Sequence, residues 1–288
     1  MKPTIIVGIV VVLLMFALFA VKGVVAVGAW LVLKLIFPFI ALFVLLVTGV
    51  VALIQKLRNK PLNRVKTGMF VILNISLVLP LLLTMNVVPM AFPANVKEVK
   101  PSLAIVSPFK APAIIAWGGD EFKDNVPHAM WGNERWAYDL VMDAYNTGST
   151  VLEDYGVWGE DVYAPVTGTV VAAYDAEPDI VPNTEGFLSM EGNHVYIEVA
   201  ETGTFLLLNH LQQNSVVVKI GDVVAVGDLL AKAGNSGSTS EPHLHIHHQR
   251  EDPRRTWNIL LAEGLPLYFK TKEGDKMLER GSILSAQH

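Results

Sequence analysis

Glu241-Pro-His-Leu-His-Ile-His-His-Gln249 places four histidines within six positions. Side chains on a β-strand alternate between faces, so a strand here turns His243, His245 and His247 one way and Leu244 and Ile246 the other, into a core. The result is a row of imidazoles on an apolar backing. Imidazole is the commonest protein ligand for zinc and the usual proton carrier near neutral pH, so the row suits a metal site with a general acid or base beside it. The bland alternative is a chance cluster of exposed histidines or a simple metal-binding tract. Other pieces of the chain favour the first reading.

Composition sets the setting of that strand. The chain has 288 residues, 52% of them hydrophobic, with a mean hydropathy of +0.42, more apolar than an ordinary soluble domain. The excess lies in the first ninety residues, where no Asp or Glu occurs before Glu98. From Pro93 onward 14 Lys and Arg stand against 27 Asp and Glu, a net charge of about −13. A basic membrane part is thus joined to an acidic soluble part. Such an acidic domain is a poor partner for phosphate backbones, which argues against nucleic acid. With no cysteine, disulfides and thiolate ligands are excluded, and a zinc site must use histidine and carboxylate.

The apolar part, residues 1–92, reads as about three transmembrane helices. Thr4 to Val21 is just long enough to cross a bilayer, Gly23 to Ile54 follows with Leu35 to Ile54 as its best spanning window, and Gly68 to Phe92 forms a third candidate with Pro80 as a kink. Between the last two, Gln55 to Lys66 carries five Lys or Arg and no acid, which the positive-inside rule places in the cytoplasm. Everything after Phe92 is then extracytoplasmic, on a multi-pass protein of the inner membrane. The side of the N-terminus stays open. The first run also has the charge and apolar core of a signal peptide, but Lys22 and the lack of a small-residue cleavage site weigh against that. Lys34 reads as a snorkelling lysine, and the spans offer surfaces for a protein partner as well as for lipid.

Residues 93–115, with Pro93, Pro101, Pro108 and Pro112, read as an extended linker. Beyond them come short β-branched runs punctuated by Gly, Asn and Asp: Thr169 to Tyr174, His194 to Val199, Thr204 to Leu208, Ser215 to Val218 and Asp222 to Val226. Their spacing predicts a mostly antiparallel β domain over residues 116–255. Residues 256–288 form a C-terminal extension with a short helix at Trp257 to Ala262, a strand at Leu265 to Phe269 and a charged tail. Within Trp136-Ala-Tyr-Asp-Leu-Val-Met142 the bulky residues share one strand face and leave Asp139 on the other, where an acid must be paired, solvated or metal-bound. His210, in Leu208-Asn-His-Leu211, sits at the end of the apolar strand Thr204 to Leu208; a hydrogen-bonded core histidine is its alternative reading.

At this point the ordered motifs carry a resemblance. Ala164-Pro-Val-Thr-Gly-Thr-Val170, Gly192-Asn-His-Val-Tyr-Ile197, Asn209-His-Leu211, Val218-Lys-Ile-Gly-Asp-Val-Val224, Gly227-Asp-Leu-Leu230 and Gly234-Asn-Ser-Gly-Ser-Thr-Ser-Glu-Pro-His-Leu-His245 resemble, in order, the lysostaphin-like zinc metallopeptidases, also called the LytM family. The likeness is close over Tyr163 to Gln249, weaker back to Asn125, and absent from the membrane part. It implies a lysostaphin-like β fold, one zinc ion, and a peptide substrate, by family a cross-link of the bacterial cell wall. It also implies that His245 and Asp139 ligate zinc and that His210 and His243 are the catalytic histidines.

One position departs from that pattern. The family's first ligand is a histidine four residues before the aspartate, and Arg135 stands there, a permanent cation with no lone pair to give. His128, eleven residues before Asp139, is the substitute, brought in by a loop containing Pro127 and Gly132; Arg135 is then expected to contact substrate or the oxyanion. With three protein ligands a fourth position is left for water, which zinc acidifies while polarising the scissile carbonyl, and His210 and His243 move the protons. His247 is placed to support a ligand, although it and His248 also read as plain strand-end residues, and His194 reads as structural. Two rivals differ in class. A catalytically silent relative would bind wall peptide or activate a partner hydrolase through the same groove. A biotinyl or lipoyl carrier-like domain would share the Gly-Asp turns, but Lys219 and Lys232 lack the carrier context and the histidines go unexplained. A serine hydrolase is weaker still, since Ser236 and Ser238 lack a Gly-x-Ser-x-Gly elbow.

Overall fold

The histidine stretch is a strand near the middle of the principal sheet. The computed structural model describes residues 2–286 except 62, 80, 83, 84, 86, 88, 89 and 257, in two units, Met1–Pro93 and Ala94–His288. In the second unit the strands are β1 (Leu103–Ile105), β2 (Ala113–Trp117), β3 (Tyr138–Val141), β4 (Asp161–Tyr163), β5 (Gly168–Tyr174), β6 (Asn193–Val199) and β7 (Phe205–Leu211). They continue with β8 (Val223–Val224), β9 (Leu229–Lys232), β10 (Leu244–Gln249), β11 (Gly264–Leu265), β12 (Leu267–Thr271), β13 (Gly274–Lys276) and β14 (Ile283–Leu284). The large sheet runs β14-β2-β3-β10-β7-β6-β5-β8, with β11 paired to the end of β10. All its pairings are antiparallel, as the turn-punctuated sequence predicts.

Alternation along β10 sets the two faces of this sheet. Leu244 and Ile246 are fully buried and join Leu206 and Leu208 of β7, Val195 and Ile197 of β6, and Tyr138 and Leu140 of β3 in one apolar core. On the opposite face Phe205 and Leu207 pack with Val171 and Tyr196 in a smaller cluster. Strand β7 is therefore apolar on both sides, which is why its sequence does not alternate. Cross-strand pairing puts Asp139 opposite His245 on one side and Asn209 opposite it on the other. Directly opposed residues share a face, so three polar side chains from three strands form a row on the non-core face.

Several sequence expectations are corrected here. Residues 93–115 are not a linker: they supply β1 and the start of β2, and Leu103, Ile105, Phe109, Ala113 and Ile115 are core residues. Nor do residues 256–288 stand apart as an extension. Strand β12 pairs in parallel with β1, buries Leu267 and Phe269, and is followed by β14 pairing with β2. Pro266 separates β11 from β12 within the expected strand, and only β8 within Asp222 to Val226 is a strand; Ser215 to Val218 is not one. The expected helix at Trp257 to Ala262 is a single 3₁₀ turn at Ile259–Leu261, with Trp257 outside the described residues.

The first unit is helical: α1 (Lys2–Ala20), α2 (Val24–Leu31), α3 (Phe37–Leu57) and α4 (Arg64–Val78). A five-residue π-helical stretch at Val32–Ile36 joins α2 to α3, giving one run of 34 residues from Val24 to Leu57. At 1.5 Å per residue this exceeds the roughly 30 Å of a bilayer core. It is the one helix among the described residues long and apolar enough to cross a membrane, where about three were expected. The third candidate falls short because α4 has 15 residues and ends at Val78, and the expected kink at Pro80 lies outside the described residues. Asn63 caps α4 by accepting the Lys66 N–H at 3.0 Å, so the basic stretch is a helix-to-helix turn.

Candidate active site

Asp139 is the centre of the site. Its Oδ1 lies 3.0 Å from His245 Nδ1 and 3.5 Å from His243 Nε2, and its Oδ2 lies 3.4 Å from His128 Nε2. Three residues expected as ligands and one expected as catalytic are thus brought together, all nine-tenths or more buried. His128 arrives on a one-turn helix, α5 (Val126–Ala129), begun by Val126-Pro127 after the turn at Asn125. A proline in the first turn gives up only an N–H that has no helical partner.

Hydrogen bonds on the far side of each ring decide which nitrogen faces inward. Asn125 donates its amide to Gly119 O and Ala137 O, so its Oδ1 is an acceptor and takes the Nδ1 proton of His128 at 2.8 Å. His128 Nε2 is left with a bare lone pair toward Asp139. His210 donates Nδ1–H to Ser236 O at 2.8 Å, and His243 donates Nδ1–H to Glu241 O at 2.8 Å. In both rings Nε2 is the bare nitrogen. The His210 ring centroid stands 4.8 Å from that of His243 and 5.8 Å from that of His245.

The backbone is shaped to hold His210 there. Its φ is +61°, uncommon for a residue with a side chain, and its N–H donates to Glu191 O at 3.2 Å. The accepting carbonyl of Ser236 is in turn seated on the Gly192-Asn193 turn, where Asn193 N–H donates to Ser236 Oγ at 2.8 Å. Gly192 has φ +62°, and a Cβ added to it would lie 2.3 Å from Ser236 O. Only glycine fits that approach.

Burial and neighbouring charge divide the titrating groups. Burial pushes the Asp139 carboxyl up, but His128, His243 and His245 more than offset this and hold it well below the usual carboxylate range. His128 is lowered to about 4, chiefly by burial. Burial, with His243 and His245, also drives His210 well below its ordinary value, so its ring is neutral at pH 7. For His245 burial is outweighed by the Asp139 hydrogen bond and charge, and the ring is raised.

This donor set fits a cation. Bare imidazole nitrogens and an ionised carboxylate converge in a buried space, an arrangement costly without a positive charge among them. Zinc accepts that combination of nitrogen and oxygen donors. A further carboxylate, Glu134, joins them: one ligand atom each from His128, Glu134 and His245 lie within 4.8 Å of one another. Burial raises the Glu134 carboxyl, and Asn133 donates to it at 3.0 Å. Sequence reading missed Glu134, as well as Asn125; an acid beside the family's vacant ligand position was the available signal.

Arg135, expected to contact substrate or the oxyanion, is a buried side chain. Its Nη2 donates to the Asp120 carbonyl and to Asp120 Oδ1, both at 2.9 Å, its guanidinium lies 5.2 Å from the Trp136 ring, and the side chain is 6% exposed. The guanidinium is thus tied to the loop after β2. His194 is structural as expected, stacked on Tyr196 at 4.3 Å with Nδ1 on Gly192 O. His247 and His248 are not plain strand-end residues: both are buried, His248 against Thr204 Oγ1 and His247 against His245.

Residues 153–256 match the peptidase family M23. The chain carries an M23 peptidase domain. The match includes His210, His243 and His245 and begins after Asp139, so the replaced first ligand lies outside it. A curated relative, peptidoglycan DD-endopeptidase ShyA of Vibrio cholerae serotype O1, is 31% identical over 137 residues, 43% of this chain and 32% of the relative. The chain thus matches about a third of that relative's length. Among solved structures, the catalytic domain of lysostaphin from Staphylococcus simulans is 18% identical, covering 53% of this chain and 86% of its own, with a TM-score of 0.31. A zinc-containing peptidase from Vibrio cholerae is 20% identical, covering 50% and 36%, with a TM-score of 0.32.

Proposed function

We propose that this protein is a zinc-dependent endopeptidase that hydrolyses peptide cross-links of bacterial peptidoglycan, anchored by the helix Val24–Leu57 with its M23 domain on the extracytoplasmic side. The observation that carries the reading is the convergence of His128, His243 and His245 on the two oxygens of Asp139. The substrate class is that named for the curated relative, a peptidoglycan endopeptidase. His128 through Nε2, Asp139 through its carboxylate and His245 through Nδ1 hold the metal, His128 taking the place that Arg135 cannot fill.

Bound there, zinc supplies polarisation of the scissile carbonyl and a water of lowered pKa. The chain's own part is proton movement. His210 and His243, each with Nδ1–H tied to a backbone carbonyl, present Nε2 as the proton acceptor for the attacking water. The same nitrogen, once protonated, delivers that proton to the departing amine as the C–N bond breaks. Fixed carbonyl acceptors keep both rings in the working tautomer, as an orienting group must. The full chain in detergent, given one equivalent of zinc and cross-linked wall peptides, is expected to release products with a newly freed amino group. Chelation should stop the release and zinc restore it. Bound zinc without cleavage would overturn the enzyme and leave a wall-peptide-binding module.

A further inference from the structure

Two more side chains, His247 and Gln249, continue from His245 along β10. His245 Nε2 lies 2.9 Å from His247 Nδ1, His247 Nε2 lies 3.2 Å from Gln249 Oε1, and Gln249 Nε2 donates to Glu251 O at 2.7 Å. Residues two apart on a strand share a face, so the row is a consequence of period two. All three side chains are buried, Gln249 completely.

The polarity of this row is set from its far end. A backbone carbonyl only accepts, so the Gln249 amide must turn its nitrogen to Glu251 O and its oxygen to His247. His247 then carries its proton on Nε2 to satisfy that oxygen. With that proton on Nε2, the Nδ1 of His247, 2.9 Å from His245 Nε2, is the acceptor of the pair. His245 must supply the proton for that bond from its own Nε2, which leaves Nδ1 to the cation shared with Asp139.

We infer that His247 and Gln249 are positioning residues that fix His245 in its Nε2–H tautomer and aim the Nδ1 lone pair at the metal. The inference rests on the metal site proposed above. It goes further by making zinc affinity depend on a glutamine two strand positions beyond the ligand's own neighbour. Groups that donate or accept at the far nitrogen of a metal-bound histidine typically change affinity by about 10 to 100-fold.

Zinc dissociation constants of the full chain in detergent, measured against a chromogenic chelator, test this together with ¹⁵N spectra of labelled histidine. Gln249→Leu and His247→Phe are expected to weaken zinc by about 10 to 100-fold, and His247→Gln, whose amide oxygen also accepts from His245, to stay within about threefold of the parent. In the parent spectrum without zinc, His247 should show its proton on Nε2. With zinc, His245 should show its proton on Nε2 and metal at Nδ1. Zinc held through His245 Nε2, or His247→Phe binding as tightly as the parent, would overturn the inference. Failure of the parent to bind zinc would instead sink the metal site, while the zinc-free tautomer of His247 still reports on the row.

Discussion

Asp139→Ala is expected to weaken zinc binding by about a hundred- to a thousandfold and, at sub-saturating zinc, to abolish peptide hydrolysis. Structural zinc sites bind with about 10–16 kcal/mol shared over their ligands, so one ligand corresponds to about 3–4 kcal/mol. Asp139 is the acid to remove because both its oxygens already face histidine nitrogens, at 3.0 to 3.5 Å. Glu134 is the control. Its oxygen reaches the same region, but its carboxyl is raised by burial and it is held by Asn133. Glu134→Ala is expected to change zinc affinity by less than about tenfold, a loss below about 1.4 kcal/mol. The reverse ranking, with Glu134→Ala the more damaging, would make Glu134 the carboxylate ligand.

His210→Ala and His243→Ala are expected to keep zinc and lose rate. Positioned general acids and bases contribute about 10²- to 10⁴-fold, so kcat/KM should fall by that amount in each variant. Because the two rings lie 4.8 Å apart and act on one proton path, the double variant should lose far less than the product of the single losses. Zinc content by mass spectrometry and kcat/KM on the same preparations decide the matter. Loss of zinc from either single variant would move that histidine into the ligand set.

The β domain was legible because its signal is local. Alternation in Leu244 to Gln249 and in Trp136 to Met142 is a property of neighbouring residues, and it is enough to turn His243, His245 and Asp139 away from the apolar faces of their strands. What failed was non-local. Three residues, Leu103 to Ile105, are too short to announce a strand, and their partner β12 lies more than 160 residues away in sequence. The prolines around them read as linker because the sequence does not reveal the parallel pairing that holds them. Helix length was misjudged for a similar reason: apolar composition continues past Val78 while the helix α4 does not. Within the site, residue types were readable and their tautomers were not. Asn125, Ser236 O, Glu241 O and Gln249 set which nitrogen faces inward, and most of those contacts come from loops whose paths no periodicity encodes.

His128 carries the account, since it stands in for the expected ligand that an arginine has displaced. The measurement is the zinc content of the full chain purified in detergent under zinc-replete conditions, beside His128→Ala prepared the same way. About one zinc per chain in the parent, lost or greatly weakened in the variant, is the result this geometry predicts. Equal zinc in both, or none in the parent, would contradict it.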